Sequence, residues 1–219
     1  MRKYKRGKNS RIKKLLAGIL VLCMGMVLWA GCGSQSEEKQ TSQEETASSG
    51  KEEDKIQIGL TVDSFVIERW IRDRDVFVAT ARELGAEVNV QDAGADVQEQ
   101  ISQIEYFISK QMDVIVVIAR DCGILSDVIQ KAHNAGIPVI SYDRMINNAD
   151  TDFYISFDNR KVGEIMAQAL VDALPQGGDI FMIQGPLSDN NVHMLKEGFD
   201  DTLEDTNLNV VYEANCDGW

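Results

Sequence analysis

Residues 113–119 read Asp-Val-Ile-Val-Val-Ile-Ala, with one polar residue at the start and none after it. β-Branched side chains favour extended backbone. With no polar alternation, neither face of such a strand can be left in water. That is the environment of a central strand in a parallel sheet with helices packed on both sides. The constraint reaches the rest of the chain, because parallel neighbours need crossovers long enough to hold a helix.

The surrounding sequence supplies that alternation. Strands are predicted at 56–62, 87–91, 113–119 and 137–141, with helices at 68–84, 96–110 and 124–135 between them. The first helix directs Ile71, Phe77, Ala81 and Leu84 toward the core and stops at Gly85; the second aligns Ile101, Ile104 and Ile108; the third stops at Gly136. A polar stretch, 142–159, then carries the chain through a β-like run at 153–157. Beyond it come a helix near 160–174, a strand at 179–184, a helix near 192–204 and a strand at 208–213. This order predicts an α/β fold of two doubly wound parallel-sheet lobes joined by a hinge. The first lobe spans 56–157 and the second 158–219. The chain ends just after a strand, at Cys216-Asp217-Gly218-Trp219. The second lobe is therefore expected to be incomplete, C-terminally truncated, with a thin and open-edged sheet.

The N-terminus has a different character. Eight Lys or Arg fall in residues 1–14, and 15–31 carry no charge. A basic region, an apolar region and small residues before Cys32 form a signal peptide over 1–31. Ala30-Gly31-Cys32 resembles a bacterial lipobox, with Trp29 where Leu is usual, and makes Cys32 the expected lipidation site. The plainer alternative is an uncleaved anchor helix, since ~18 apolar residues can span a bilayer. Residues 32–55 are rich in Ser, Gln, Glu, Thr and Lys and lack large apolar side chains, so they form a disordered acidic tether. Both readings put the folded part outside the cytoplasmic membrane.

Charge excludes one class of partner. Of 22 basic and 35 acidic residues, eight basic ones lie in the leader, leaving 14 against 35, a net of −21 for residues 33–219. Such a surface repels nucleic acid. Cysteines are few: beyond Cys23 and Cys32 only Cys122 and Cys216 remain, and they read as two buried free thiols. There is no metal-ligand spacing, phosphate loop or nucleophile elbow, so no metal, cofactor or catalytic residue is expected. His133 and His193 stand alone and read as surface or helix-terminal residues.

What remains is a set of polar and aromatic groups at successive strand ends. Asp63-Ser64-Phe65 and Glu68-Arg69-Trp70 follow the first strand, Asp143-Arg144 the fourth, Ser188-Asp189-Asn190-Asn191 the first strand of the second lobe, and Asp217-Gly218-Trp219 the last. Carboxyl ends of parallel strands share one sheet edge, so these groups can converge on one cleft. Asp accepts from hydroxyls, Arg donates in a fork, Asn does both, and Trp packs on apolar C–H faces, which together suit a small polyol. Taken singly, Asp63 and Asp189 suit helix caps equally well. Arg69 suits a solvated helix charge, and Trp70 suits the core.

The segments IGLTVDSFVIERWIRDRDVF, SQIEYFISKQMDVIVVIA and VISYDRMINNADTDFYISFDNRKVGE, with DNN and DGW, resemble the D-xylose-binding proteins of bacterial ABC sugar importers. That group belongs to the type I periplasmic sugar-binding proteins and is related to ribose-binding proteins. The resemblance covers about 56–219. It implies a monosaccharide ligand, D-xylose or a similar sugar, closed between two lobes and delivered to a membrane permease with its ATPase. It implies that Arg69, Trp70, Asp143, Arg144, Asp189, Asn191 and Trp219 contact the sugar, with Trp70 and Trp219 on opposite sides of the ring. The family's chain continues well past the DGW segment. A sugar-sensing subunit that signals to a membrane histidine kinase or chemoreceptor is the alternative reading.

Overall fold

The computed structural model describes residues 55–219. The predicted signal peptide, Cys32 and the tether through residue 54 lie outside the described residues. Among the described residues, no helix is long and apolar enough to cross a membrane.

The chain runs β1 (Gln57–Val62), α1 (Glu68–Glu83), β2 (Glu87–Asp92), α2 (Val97–Ser109), β3 (Val114–Ile118), α3 (Ser126–Asn134), β4 (Val139–Tyr142), β5 (Phe153–Ile155), α4 (Asn159–Ala173), β6 (Gly178–Gln184), α5 (Asn190–Leu203) and β7 (Leu208–Asn215). The first five strands form one sheet in the order β2-β1-β3-β4-β5, and β6 and β7 form a second. Every pairing is parallel.

The apolar run at 114–118 is the centre of the first sheet. Ile115 and Val117 point into a core beneath α2 and α3, with Ile104, Phe107, Val128, Ile129 and Val139. Val116 and Ile118 point the other way, toward Leu60, Val62 and Trp70 beneath α1. Burying both faces of one strand is what its unbroken hydrophobicity demands. Among the described residues the second sheet is covered on one face only, where α4 and α5 bring Ala167, Phe199 and Leu203 against Leu208 and half-buried Ile180 and Met182. Its other face carries Phe181, 75% exposed, edge-on to Tyr212.

Local signals account for most boundaries. Gly85 and Gly136 adopt positive φ where the predicted helices stop. Asp96 caps α2 by accepting from the backbone N–H of Gln98 and Glu99. Two expectations fail. Leu84 is 81% exposed, because α1 ends at Glu83 and leaves it past the last turn. Cys216 is exposed, because it follows β7 at the open end of the second sheet; Cys122 is buried, and both are free thiols.

Candidate functional site

Parallel order collects the carboxyl ends of β1, β3, β4 and β5 at one edge of the first sheet. Because β1 lies between β2 and β3, the strand order reverses between β1 and β3, and a crevice opens there. The turn after β4 delivers side chains to that crevice. Asp143 has a φ of +64°, a conformation Asp tolerates better than most residues. Its N–H donates to Ile155 O and the next N–H, of Arg144, donates to Tyr142 O, so the chain reverses within two residues.

Arg144 points across the reversal point. Its Nη1 donates to Asp63 Oδ2 at 2.7 Å, after β1, and to Ala119 O at 3.0 Å, after β3. Its Nε lies 2.9 Å from Asp189 Oδ2, after β6 on the second sheet. That last contact is an ion pair whose angle falls short of a hydrogen bond. All three side chains are buried. Charges this far from water are tolerated only when paired and hydrogen-bonded.

A second set surrounds Asp143. Arg69 Nη2 donates to its Oδ2, and Asn191 Nδ2, from α5, donates to its Oδ1 at 3.0 Å. Asn159 Nδ2, at the start of α4, donates to Asn191 Oδ1 at 3.1 Å. The guanidinium of Arg69 stacks on Trp70 at 4.4 Å and lies 5.3 Å from the ring of Phe157. Arg144 lies 5.5 Å from the centroid of the same indole. The faces of the two lobes are also pinned by backbone, Cys122 N–H donating to Ser188 O at 2.8 Å.

Each predicted residue therefore has a definite place. Asp143, Arg144, Asp189 and Asn191 meet in one buried cluster. Asp189 does two things at once: Oδ1 caps α5 through the N–H of Asn191, while Oδ2 faces Arg144 and accepts from Trp219 Nε1 at 2.9 Å. Trp219 packs over Gly185 and is 54% exposed. Trp70 joins the core under α1 with two guanidinium groups at its ring, rather than presenting an open platform. His133 bonds Asp152 and His193 bonds Leu187 O, both away from the cluster.

The cluster has three further members. Asp63, at a strand end, suits a helix cap equally well on sequence alone. The N-cap position of α1 is in fact Ile67, so Asp63 is free to bond Arg144. Arg120, after β3, has Nε 3.8 Å from Asp63 Oδ1. Asn159 was legible only as the end of the polar stretch. Beneath them, Gln100 and Gln103 of α2 are buried and bond Thr61, Ile118 O and the N–H of Arg120, closing the ends of β1 and β3. Asp63 Oδ1 and Trp70 Nε1 are buried without a hydrogen-bond partner. Burial raises the pKa of the Tyr142 phenol, assisted by Asp73, whose carboxylate accepts from it at 3.1 Å.

The model of the periplasmic binding protein domain matches residues 58–219. The chain belongs to the periplasmic binding protein family. Its two parallel α/β sheets are the type I fold of that family. Among curated members it is 45% identical over 168 residues to the D-xylose-binding periplasmic protein of Escherichia coli (strain K12), covering 75% of this chain and 51% of that protein. It is 44% identical to the protein of the same description from Haemophilus influenzae, covering 75% and 50%. A binding-protein structure from Clostridium phytofermentans, an ABC transporter solute-binding protein with bound β-D-glucose, superposes with a TM-score of 0.66 at 31% identity, covering 68% of this chain and 48% of that one. The chain spans about half the length of the curated relatives it matches.

Proposed function

We propose that this binding protein takes a neutral monosaccharide, D-xylose or a similar sugar, between its two lobes and hands it to the permease of an ABC importer without chemical change. Delivery from the outer face of the membrane, held there by a lipid on Cys32, is part of the same reading.

The observation that carries it is the interlobe cluster of Asp63, Asp143, Arg144, Asp189 and Asn191. Its donors and acceptors match hydroxyls. Arg69 already faces Asp143, and Arg144 already faces Asp63 and Asp189, which argues for a neutral polyol over a sugar acid. Asp63 Oδ1 and Trp70 Nε1, buried and without a hydrogen bond, are one acceptor and one donor that a ligand hydroxyl or a bridging water suits. The likeness to proteins described as D-xylose-binding supports the choice of sugar.

On this reading, opening breaks the direct Arg144–Asp189, Asn191–Asp143 and Cys122–Ser188 contacts. Sugar hydroxyls then take over the side-chain bonds, and the closed form gains stability in proportion to the affinity difference between the two states. Arg69, Trp70 and Trp219 border the sugar; Asp143, Arg144, Asp189 and Asn191 bond it. The test is calorimetric titration of the purified chain with D-xylose, D-ribose, D-glucose and D-xylonate. Saturable binding of xylose, with the acid rejected, is expected. Silence with all three neutral sugars, or preference for the acid, overturns the reading.

A further inference from the structure

We infer that Asn159 is a positioning residue: it sets the amide of Asn191 to donate across the cleft and so ties lobe closure to the chain crossing between the lobes. The inference rests on the proposed binding cleft.

Asn159 is buried and is the first residue of α4, directly after the crossing at 156–158. Its Nδ2 lies 3.1 Å from Ser156 Oγ, 3.3 Å from Phe157 O and 3.1 Å from Asn191 Oδ1. A primary amide has one accepting end and one donating end. With its oxygen held by Asn159, Asn191 must turn its NH₂ toward Asp143 Oδ1, and it does so at 3.0 Å. The flipped amide would set oxygen against carboxylate and NH₂ against NH₂. Both contacts are repulsive in a buried site, where an unpaired polar group is costly.

Asp143 Oδ2 is held in turn by Arg69. One line of bonds thus runs from the crossing, through Asn159 and Asn191, to Asp143 and Arg69 of the first lobe. Helix capping does not explain Asn159, because Asp158 caps α4 through the N–H of Lys161. An Asp at 159 keeps the shape and loses the donor.

The test compares the full chain with N159A, N159D, N191A and N159A/N191A. Nuclear magnetic resonance of Asn side chains in the sugar-free protein reads the Asn191 amide directly. Exchange-protected protons displaced from the ordinary Asn range are expected in the wild type, and unprotected ones at ordinary shifts in N159A and N159D. In xylose titration N159A is expected to lose about fivefold in affinity alone, the size of one lost buried hydrogen bond. In the N191A background it should lose less than about twofold, because the two act as one unit. An unchanged Asn191 signal in both single variants, or losses that add in the double variant, overturns the inference. If the wild type binds no sugar while the Asn191 signal still depends on residue 159, the binding reading fails and the positioning role stands.

Discussion

The guanidinium of Arg144, on the first lobe, lies 2.9 Å from the carboxylate of Asp189, on the second, with both side chains buried. Asp63 holds the same guanidinium from the first-lobe side. Removing Arg144 leaves buried Asp189 without a cation and buried Asp63 with only Arg120, 3.8 Å away. Breaking a buried pair in this way costs about 3–5 kcal/mol. Arg144→Ala is expected to lower thermal stability and to weaken xylose binding by about tenfold or more, as a charged hydrogen bond is lost. Arg144→Lys should recover part of the stability and little of the affinity, because an ammonium cannot fork. Calorimetry with an unchanged dissociation constant for the Ala variant would remove Arg144 from the site.

Cys122 and Cys216 should differ in reactivity. Burial, with Asp121 and Asp189 nearby, raises the thiol pKa of Cys122, so little thiolate is present at neutral pH. Cys216 is exposed. Peptide mapping after brief iodoacetamide treatment at pH 7.5 should find Cys216 alkylated and Cys122 protected until denaturant is added. Equal labelling in the native protein contradicts the buried position of Cys122.

Asp152 gives a pH dependence of known sign. The N–H of Val139 donates to its Oδ2 at 2.7 Å, and with His133 beside it the carboxyl pKa is lowered. The unfolded chain binds this proton at higher pH than the folded one. Its contribution is therefore present above the ordinary carboxylate range and lost as pH falls through the lowered folded value. Thermal melts of Asp152→Asn should show a smaller loss of stability as pH falls below about 4 than the wild type. Parallel curves would deny Asp152 this role.

Helices α4 and α5 touch backbone to backbone. A Cβ on Gly163 would sit 2.0 Å from Leu195 O, and one on Gly198 would sit 2.0 Å from Arg160 O. Neither neighbour is a flexible side-chain end, so the helices must separate to admit it. Gly163→Ala is expected to destabilise the second lobe by about 1–3 kcal/mol despite its better helix propensity. A chemical melt at or above wild-type stability would show that the pair has room to shift.

Much of the first lobe was legible because its signals are local. The unbroken apolar run at 114–118 and the Gly stops at 85 and 136 each act within a few residues. Leu84 missed the core because helical periodicity does not say where the last turn ends. The buried glutamines of α2 were invisible for a related reason: polar residues on a core face are readable only once their partners, Thr61 and the backbone of β3, are in place. Cys216 looked like a core thiol until its strand proved to lie at the open end of a two-stranded sheet.

By itself, the sequence determined the order of strands and helices, their parallel pairing, and that Asp143 and Arg144 lie at the carboxyl edge of the first sheet and Asp189 and Asn191 at that of the second. Periodicity and crossover length suffice for that, since parallel strands must all end on one side. The tertiary structure decided which groups at those edges touch. Strand order sets β1 beside β3, so Arg144 spans from Asp63 to Ala119, residues 81 and 25 positions away. The folding of α4 and α5 onto each other brought Asn159 to Asn191. Contacts between elements far apart in the chain depend on how sheets and helices stack, and no short window of residues carries that information.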